Sequence, residues 1–127
     1  MGNSFAFNFH RYTSKKKAIV ISPTISVMQD QVTNFNLTKK GIKDIYLGSA
    51  QLDKKVEVNA FVPHSEERII LLTPEWISKD ENRAKIQTLV DSDMLSVIAI
   101  DGAHLFYQWQ EFRHAYKDRE ELKVALH

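Results

Sequence analysis

Four short runs of branched and aliphatic residues punctuate the chain. They are Ala18-Ile19-Val20-Ile21, Asp44-Ile45-Tyr46-Leu47, Arg68-Ile69-Ile70-Leu71-Leu72 and Ser96-Val97-Ile98-Ala99-Ile100. Three of them are almost continuously apolar, as parallel strands covered on both faces are, rather than alternating as a half-exposed strand does. The segments between them carry helical periodicity instead. Over residues 25–37, Ile25, Met28, Val32 and Phe35 recur at steps of three and four and form an apolar stripe. Residues 51–61 offer Leu52, Val56 and Phe61 as an inner face, and residues 82–90 offer Ile86, Leu89 and Val90. Two further helices are expected, one over Phe5 to Phe9 and one in the polar tail from Glu111 to Leu126.

Strand and helix therefore alternate, which predicts an α/β fold: a parallel sheet with flanking helices and right-handed crossovers. The turn chemistry agrees. Ser22-Pro23-Thr24 ends the first strand, with Ser22 or Thr24 as N-cap. Lys40-Gly41 closes the helix that follows. Thr73-Pro74 opens another, with Pro74 at its first position. No repeat, low-complexity tract or linker interrupts the pattern. Because the chain opens inside a helical pattern and ends inside another, residues 1–127 are expected to be part of one domain rather than a whole one.

Composition narrows the possible chemistry. With 43% hydrophobic and 26% charged residues, the 127-residue chain has the make-up of a globular domain. It contains no cysteine, which excludes disulfides, thiolate nucleophiles and Cys-ligated zinc. No apolar run is long enough to span a membrane, and Met1 to His10 does not read as a signal peptide. A net charge of +1 gives no whole-molecule field for nucleic acid, so any such contact must be local. The run Lys15-Lys16-Lys17 reads as a solvated turn. His10, His64, His114 and His127 lack metal-ligand spacing, and Glu66-Glu67 and Glu120-Glu121 read as solvated carboxylates.

Parallel α/β sheets bind ligands beyond the carboxyl ends of their strands. Those ends read Ser22-Pro23-Thr24, Gly48-Ser49, Thr73-Pro74-Glu75 and Asp101-Gly102-Ala103-His104. Hydroxyls and turn N–H groups suit phosphate oxygens, and a carboxylate at a strand tip suits a hydrated magnesium ion. Capping and turn formation are the structural alternative for each loop.

In sequence, Ser22-Pro23-Thr24-Ile25-Ser26-Val27-Met28-Gln29-Asp30-Gln31-Val32 closely resembles motif Ia of the RecQ-like helicases. Leu47-Gly48-Ser49-Ala50-Gln51 and Thr73-Pro74-Glu75 resemble the next landmarks, in order. Asp101-Gly102-Ala103-His104 stands where the family has its D-E-A-H box, and Trp109-Gln110-Glu111-Phe112-Arg113-His114-Ala115-Tyr116 resembles its aromatic-rich loop. The resemblance covers nearly the whole chain. It implies an incomplete RecA-like P-loop NTPase lobe, the first motor lobe of a superfamily 2, ATP- and magnesium-dependent 3'-5' DNA helicase with roles in DNA repair and recombination. The partners it implies are DNA, single-stranded or at a duplex–single-strand junction, and a second RecA-like lobe, with no membrane. The location it implies is the nucleus in a eukaryote and the cytoplasm otherwise. Ser22 and Thr73 would then lie near DNA phosphates, and Trp109, Phe112 and Arg113 would stack on or sense bases. For Trp109 and Phe112 the alternative is core packing, and for Trp76 packing is the expected role.

Two departures from the family bear on activity. Its phosphate loop ends in G-K-S or G-K-T, but the matching positions here are Gly2-Asn3-Ser4, and Asn3 brings no cation to the phosphates. The resemblance makes Gly2, Asn3, Ser4 and Asp101 the nucleotide contacts, with Ser4 and Asp101 serving magnesium. Gly102 replaces the glutamate that orients the attacking water; losing such a base lowers the rate by roughly two or more orders of magnitude. Asp101 and His104 would be a remnant of the box, with His104 coupling the site to a second lobe. Two functions are therefore expected in competition: a piece of a helicase motor that is inactive alone, or a non-catalytic single-stranded DNA-binding module derived from one. A decayed gene piece without function is the third possibility.

Overall fold

The computed structural model describes residues 15–24, 45–47, 58–65 and 67–126, with 45–47 described by backbone alone. Five parallel strands form one sheet in the order β2-β3-β1-β4-β5: β1 (Lys17–Ile21), β2 (Ile45–Leu47), β3 (Ile69–Leu72), β4 (Leu95–Ile100) and β5 (Lys123–Leu126). Between β3 and β4 lie α1 (Pro74–Ile77) and α2 (Asp80–Asp91). A single 3-10 turn (Ala103–Leu105) and α3 (Phe106–Ala115) connect β4 to β5. The α/β fold and the parallel sheet with flanking helices are as the apolar runs imply.

The central strands are buried on both faces. One face carries Ile19, Ile21, Ile70, Leu72, Ile98 and Ile100, and these pack into a single core with Ile86, Leu89 and Val90 of α2. Phe61, Trp76, Leu105 and Phe112 complete that layer. Residues of the other face, Ala18, Val20, Ile69, Leu71, Val97 and Ala99, are also buried. Double-sided burial explains why β1, β3 and β4 read as unbroken apolar runs.

Trp76 packs, as expected. Its ring stacks on Phe61 with centroids 5.2 Å apart, and its carbonyl accepts a hydrogen bond from the Asn82 amide at 2.8 Å. That bond anchors α2 to α1. Thr73 caps α1 with its side-chain oxygen, which accepts from the Trp76 N–H at 3.4 Å, and Pro74 begins the helix where an N–H would have no partner.

Two expectations are corrected. The tail is not one helix: α3 stops at Ala115, a turn follows, and Lys123–Leu126 joins the sheet as an edge strand beside β4. Its short apolar stretch finds a better partner in the open edge of β4, where Val124 and Leu126 register with Ile98 and Ile100. Nor is the lysine run a solvated turn. Lys15 is exposed, but Lys17 is wholly buried as the first residue of β1.

The Lys17 ammonium donates to the Ser65 hydroxyl at 2.7 Å and to the carbonyls of Ser65 and Glu67. Three acceptors around one ammonium hold the charged form and tie the 58–67 segment to the sheet. Lys17→Met keeps the stem but strips those acceptors. It is expected to lower stability by about 1–2 kcal/mol, in the lower part of the range for unpaired groups because Ser65 and Glu67 are only half-buried. Urea denaturation of the two proteins checks this.

Beside it, Lys16 pairs with Asp93 at 3.1 Å and Glu121 at 3.3 Å. The hydrogen bond to Asp93 holds its ammonium above the usual lysine range. The pair is solvent-facing and contributes little to stability.

The helical stripe at residues 25–37, the helix expected at 5–9 and the closing Lys40-Gly41 lie outside the described residues.

Candidate functional site

Register brings the strand tips together. Ile21 pairs with Leu72 on one side and with Ile100 on the other, so Ser22, Thr73 and Asp101 follow side by side at the carboxyl edge. The ladder continues one step past the strands: the Ser22 N–H donates to the Leu72 carbonyl and the Asp101 N–H to the Ile21 carbonyl, both at 2.9 Å. Strand order reverses direction at β1, and that switch point is where an open parallel sheet leaves a crevice for ligands. The edge thus carries two hydroxyls and one carboxylate at the expected place. Gly2, Asn3, Ser4, Gly48 and Ser49 lie outside the described residues.

The three tips differ in access. Ser22 is wholly buried and Thr73 nearly so, while Asp101 is half-buried. Next to Thr73 a cleft of about 190 Å³ opens between Glu75, Trp76, Lys79 and Asn82, with Lys79 as its cation. A larger cleft of about 300 Å³ lies at the other edge of the sheet, lined by Asp93, Asp118, Glu120 and Glu121 against Arg119. Its four carboxylates repel phosphate, so volume is the wrong guide here and strand polarity the right one.

Gly102 determines the shape of the box. It sits at φ +123°, ψ 125°, where side-chain-bearing residues are rarely found. A Cβ there would fall 2.8 Å from Cε1 and 3.1 Å from Nδ1 of His104. The His104 ring therefore lies over the place from which a residue-102 side chain would start. The Gly102 carbonyl accepts from the Leu105 N–H at 3.0 Å and starts the 3-10 turn. The glycine is built into the turn by its positive φ and by the His104 ring beside its Cα.

Beyond the turn, α3 presents two faces. Phe112 is wholly buried in the core, with the Arg83 guanidinium 4.6 Å from its ring centre and Tyr116 stacked at 6.3 Å. Of the two readings of Phe112, the structure takes core packing: no face of the ring is open to a base. Burial also holds the Tyr116 hydroxyl above the usual tyrosine range while it donates to Gln87 at 3.0 Å. Trp109 is half-buried. Its indole N–H donates to the Val124 carbonyl at 3.4 Å, pinning α3 to β5. Arg113 is exposed and lays its guanidinium 5.1 Å from the Trp109 ring centre.

Two residues on this helix escaped the sequence reading. Phe106 is 42% exposed with its ring 5.2 Å from Trp109, and Tyr107 is 79% exposed with its ring edge-on to Phe106 at 6.4 Å. The signal was available: Phe106, Trp109 and Arg113 recur at i, i+3 and i+7, one face of a helix.

Metal chemistry has a thin basis at this edge. Among the described residues no group of three His, Cys, Asp or Glu side chains could hold a metal ion. Asp101 is the single carboxylate at the β4 tip, which fits a contact to hydrated magnesium but not a complete site.

An α/β sheet of this order, with hydroxyl and carboxylate tips gathered at its switch point, has the architecture of a RecA-like helicase lobe. The chain belongs to the DEAD/DEAH box helicase family, whose model matches residues 4–125. It is 35% identical over 126 residues to the bifunctional 3'-5' exonuclease/ATP-dependent helicase WRN of Mus musculus, covering 98% of this chain and 8% of that protein. It is 32% identical over 129 residues to the ATP-dependent DNA helicase RecQ of Bacillus subtilis (strain 168), covering 99% of this chain and 21% of the relative. The ATP-dependent DNA helicase Q-like SIM of Arabidopsis thaliana is 32% identical over 117 residues, which is 91% of this chain and 13% of that protein. The RecQ-type resemblance is thus met by RecQ-type relatives, of which the chain spans a minor part. No helix among the described residues is long and apolar enough to cross a membrane.

Proposed function

We propose that the chain is a portion of the first motor lobe of a RecQ-like DNA helicase, and that alone it engages single-stranded DNA without turning over ATP. One observation carries this reading: the alignment of Ser22, Thr73 and Asp101 at the carboxyl edge, directly ahead of the aromatic helix α3. The printed names of the relatives, ATP-dependent DNA helicases, support the substrate class. In an intact member, ATP-driven closure of two lobes would move the strand, and His104, exposed at the turn, would face the second lobe. Nuclear action in repair and recombination would follow from that parentage.

Hydrolysis by this chain is not supported. Asp101 would contact magnesium, but Asn3 brings no cation and the Gly102 turn offers no base. That turn favours the second reading, a non-catalytic single-stranded DNA-binding module. Both readings put DNA on the same edge.

A labelled oligothymidylate titrated against the protein and its Trp109→Ala variant tests this. Wild type is expected to bind and the variant to bind several-fold more weakly, because α3 loses its anchor to β5 and the support for Phe106 and Arg113. Equal and negligible binding by both would remove the reading. Phosphate release from ATP in the presence of the oligonucleotide is expected to stay at background.

A further inference from the structure

We infer that the base-stacking surface of this chain is formed by Tyr107 and Phe106 at the start of α3, with Trp109 and Arg113 as its support and Phe112 taking no part. The inference rests on the single-stranded DNA reading above and assigns its contact residues. It starts from access. Stacking needs an open ring face, and Phe112 has none at 0% exposure, whereas Tyr107 is 79% and Phe106 42% exposed. One exposed ring is ordinary, but adjoining exposed rings form a contiguous apolar patch of the kind that marks a binding surface.

Geometry makes the patch a platform rather than two loose rings. Phe106 leans on Trp109 at 5.2 Å and 36°, and Tyr107 meets Phe106 edge-on at 6.4 Å. Trp109 is in turn fixed by its bond to Val124 and carries the Arg113 guanidinium. The indole thus already has neighbours, so its role is to position the others. Placement favours a nucleic-acid strand: the 3-10 turn that leads into Phe106 begins just past the β4 tip, at the edge where Ser22, Thr73 and Asp101 meet.

Charge complementarity fits the same occupant. Arg113, exposed on the last turn of α3 with its guanidinium over the Trp109 ring, and Lys117, exposed on the turn that follows, are the cations that this helix and its turn offer to a phosphate backbone. A patch with so few cations binds mainly through π-faces. It requires unpaired bases, tolerates any of them, and depends only shallowly on salt.

Tyr107→Ala in the full chain is expected to weaken oligothymidylate binding by roughly 5- to 150-fold. Its thermal unfolding should stay at the wild-type value, because the side chain is mostly in water. Tyr107→Phe keeps the ring and should stay within about two-fold of wild type; Tyr107→Leu keeps the apolar area without the π-face and should fall with the alanine variant. If wild type binds and Trp109→Ala weakens it while Tyr107→Ala does not, the assignment to Tyr107 fails and the DNA reading survives. If wild type does not bind at all, both fail. If Tyr107→Leu binds like wild type, the contact is not a π-stack and the inference is overturned; if wild type forms a dimer that Tyr107→Ala abolishes, the patch is a contact between copies of the chain and the inference is likewise overturned.

Discussion

Phe112→Ala is expected to remove about 3–5 kcal/mol of folding stability, the range for deleting a fully buried aromatic side chain. The ring is at 0% exposure in the one core that joins α2, α3 and the Ile19–Ile21 face of the sheet. Its removal opens a cavity beneath the Arg83 guanidinium and leaves Tyr116 without its stacking partner. Arg83 also pairs with Glu111 at 3.6 Å, and Arg119 with Asp91 at 3.2 Å, so α3 and its following turn are held to α2 mainly around this ring. Exposed ion pairs of that kind cannot substitute for it, since each contributes a fraction of a kcal/mol. A domain of this size has about 5–15 kcal/mol in all, so the variant is expected to lose a large share of its stability and to show a much lower urea midpoint. A midpoint unchanged from wild type would mean that Phe112 lies outside the core. Tyr107→Ala is the matched control on the exposed face of the same helix.

Gly102→Glu, which would supply the glutamate that the resemblance implies at that place, is expected to destabilise the protein and leave ATP hydrolysis at background. The backbone at φ +123° is strained for any residue with a side chain, and strain of this kind is on the order of 1–3 kcal/mol. The new Cβ also meets His104 at 2.8 Å, so either the imidazole swings away or the 3-10 turn rebuilds. A fall of several degrees in unfolding temperature should follow. The same loss is expected for Gly102→Ala, which adds the Cβ without a carboxylate and so separates backbone strain from charge. If Asn3 stands at the phosphate loop, as the resemblance implies, a glutamate at 102 would have no cation-polarised phosphate to serve. Unaltered stability together with phosphate release above background would show that the glycine is a simple loss rather than a feature built into the turn.

Much of this was legible in the chain, for reasons that also mark where reading stops. β1, β3 and β4 declare themselves because burial on both faces makes them continuously apolar. The β1 boundary was set one residue late because a lysine argues against a buried strand start; only its three acceptors, in the 58–67 segment, reverse that. β5 was hidden because Lys117 to Glu121 contains no glycine or proline to break a helix, and because its partner is β4, a pairing that local pattern does not encode. The strand-tip cluster was foreseen from polarity alone, and the register of β1 with its two neighbours places the described part of it. On α3, periodicity separates the Phe106–Trp109–Arg113 face from the Phe112 face. It does not say which one turns inward, since that depends on how the helix crosses the sheet. Phe112 was therefore grouped with Trp109 and Arg113, and Tyr107 was passed over. The glycine at 102 was plain in the sequence, but its positive φ and its fit against His104 needed coordinates.

The most direct measurement of the central claim is a backbone amide spectrum of the labelled protein, recorded with and without oligothymidylate. If the carboxyl edge is the DNA face, shifts should gather at Thr73, Glu75 and Trp76 and from Asp101 to Arg113, with the backbone amides of Phe106 and Tyr107 among the most affected. Asp93 and Asp118 to Leu122, at the acidic edge, should stay still. Shifts centred on that acidic edge, or none anywhere, would contradict the account.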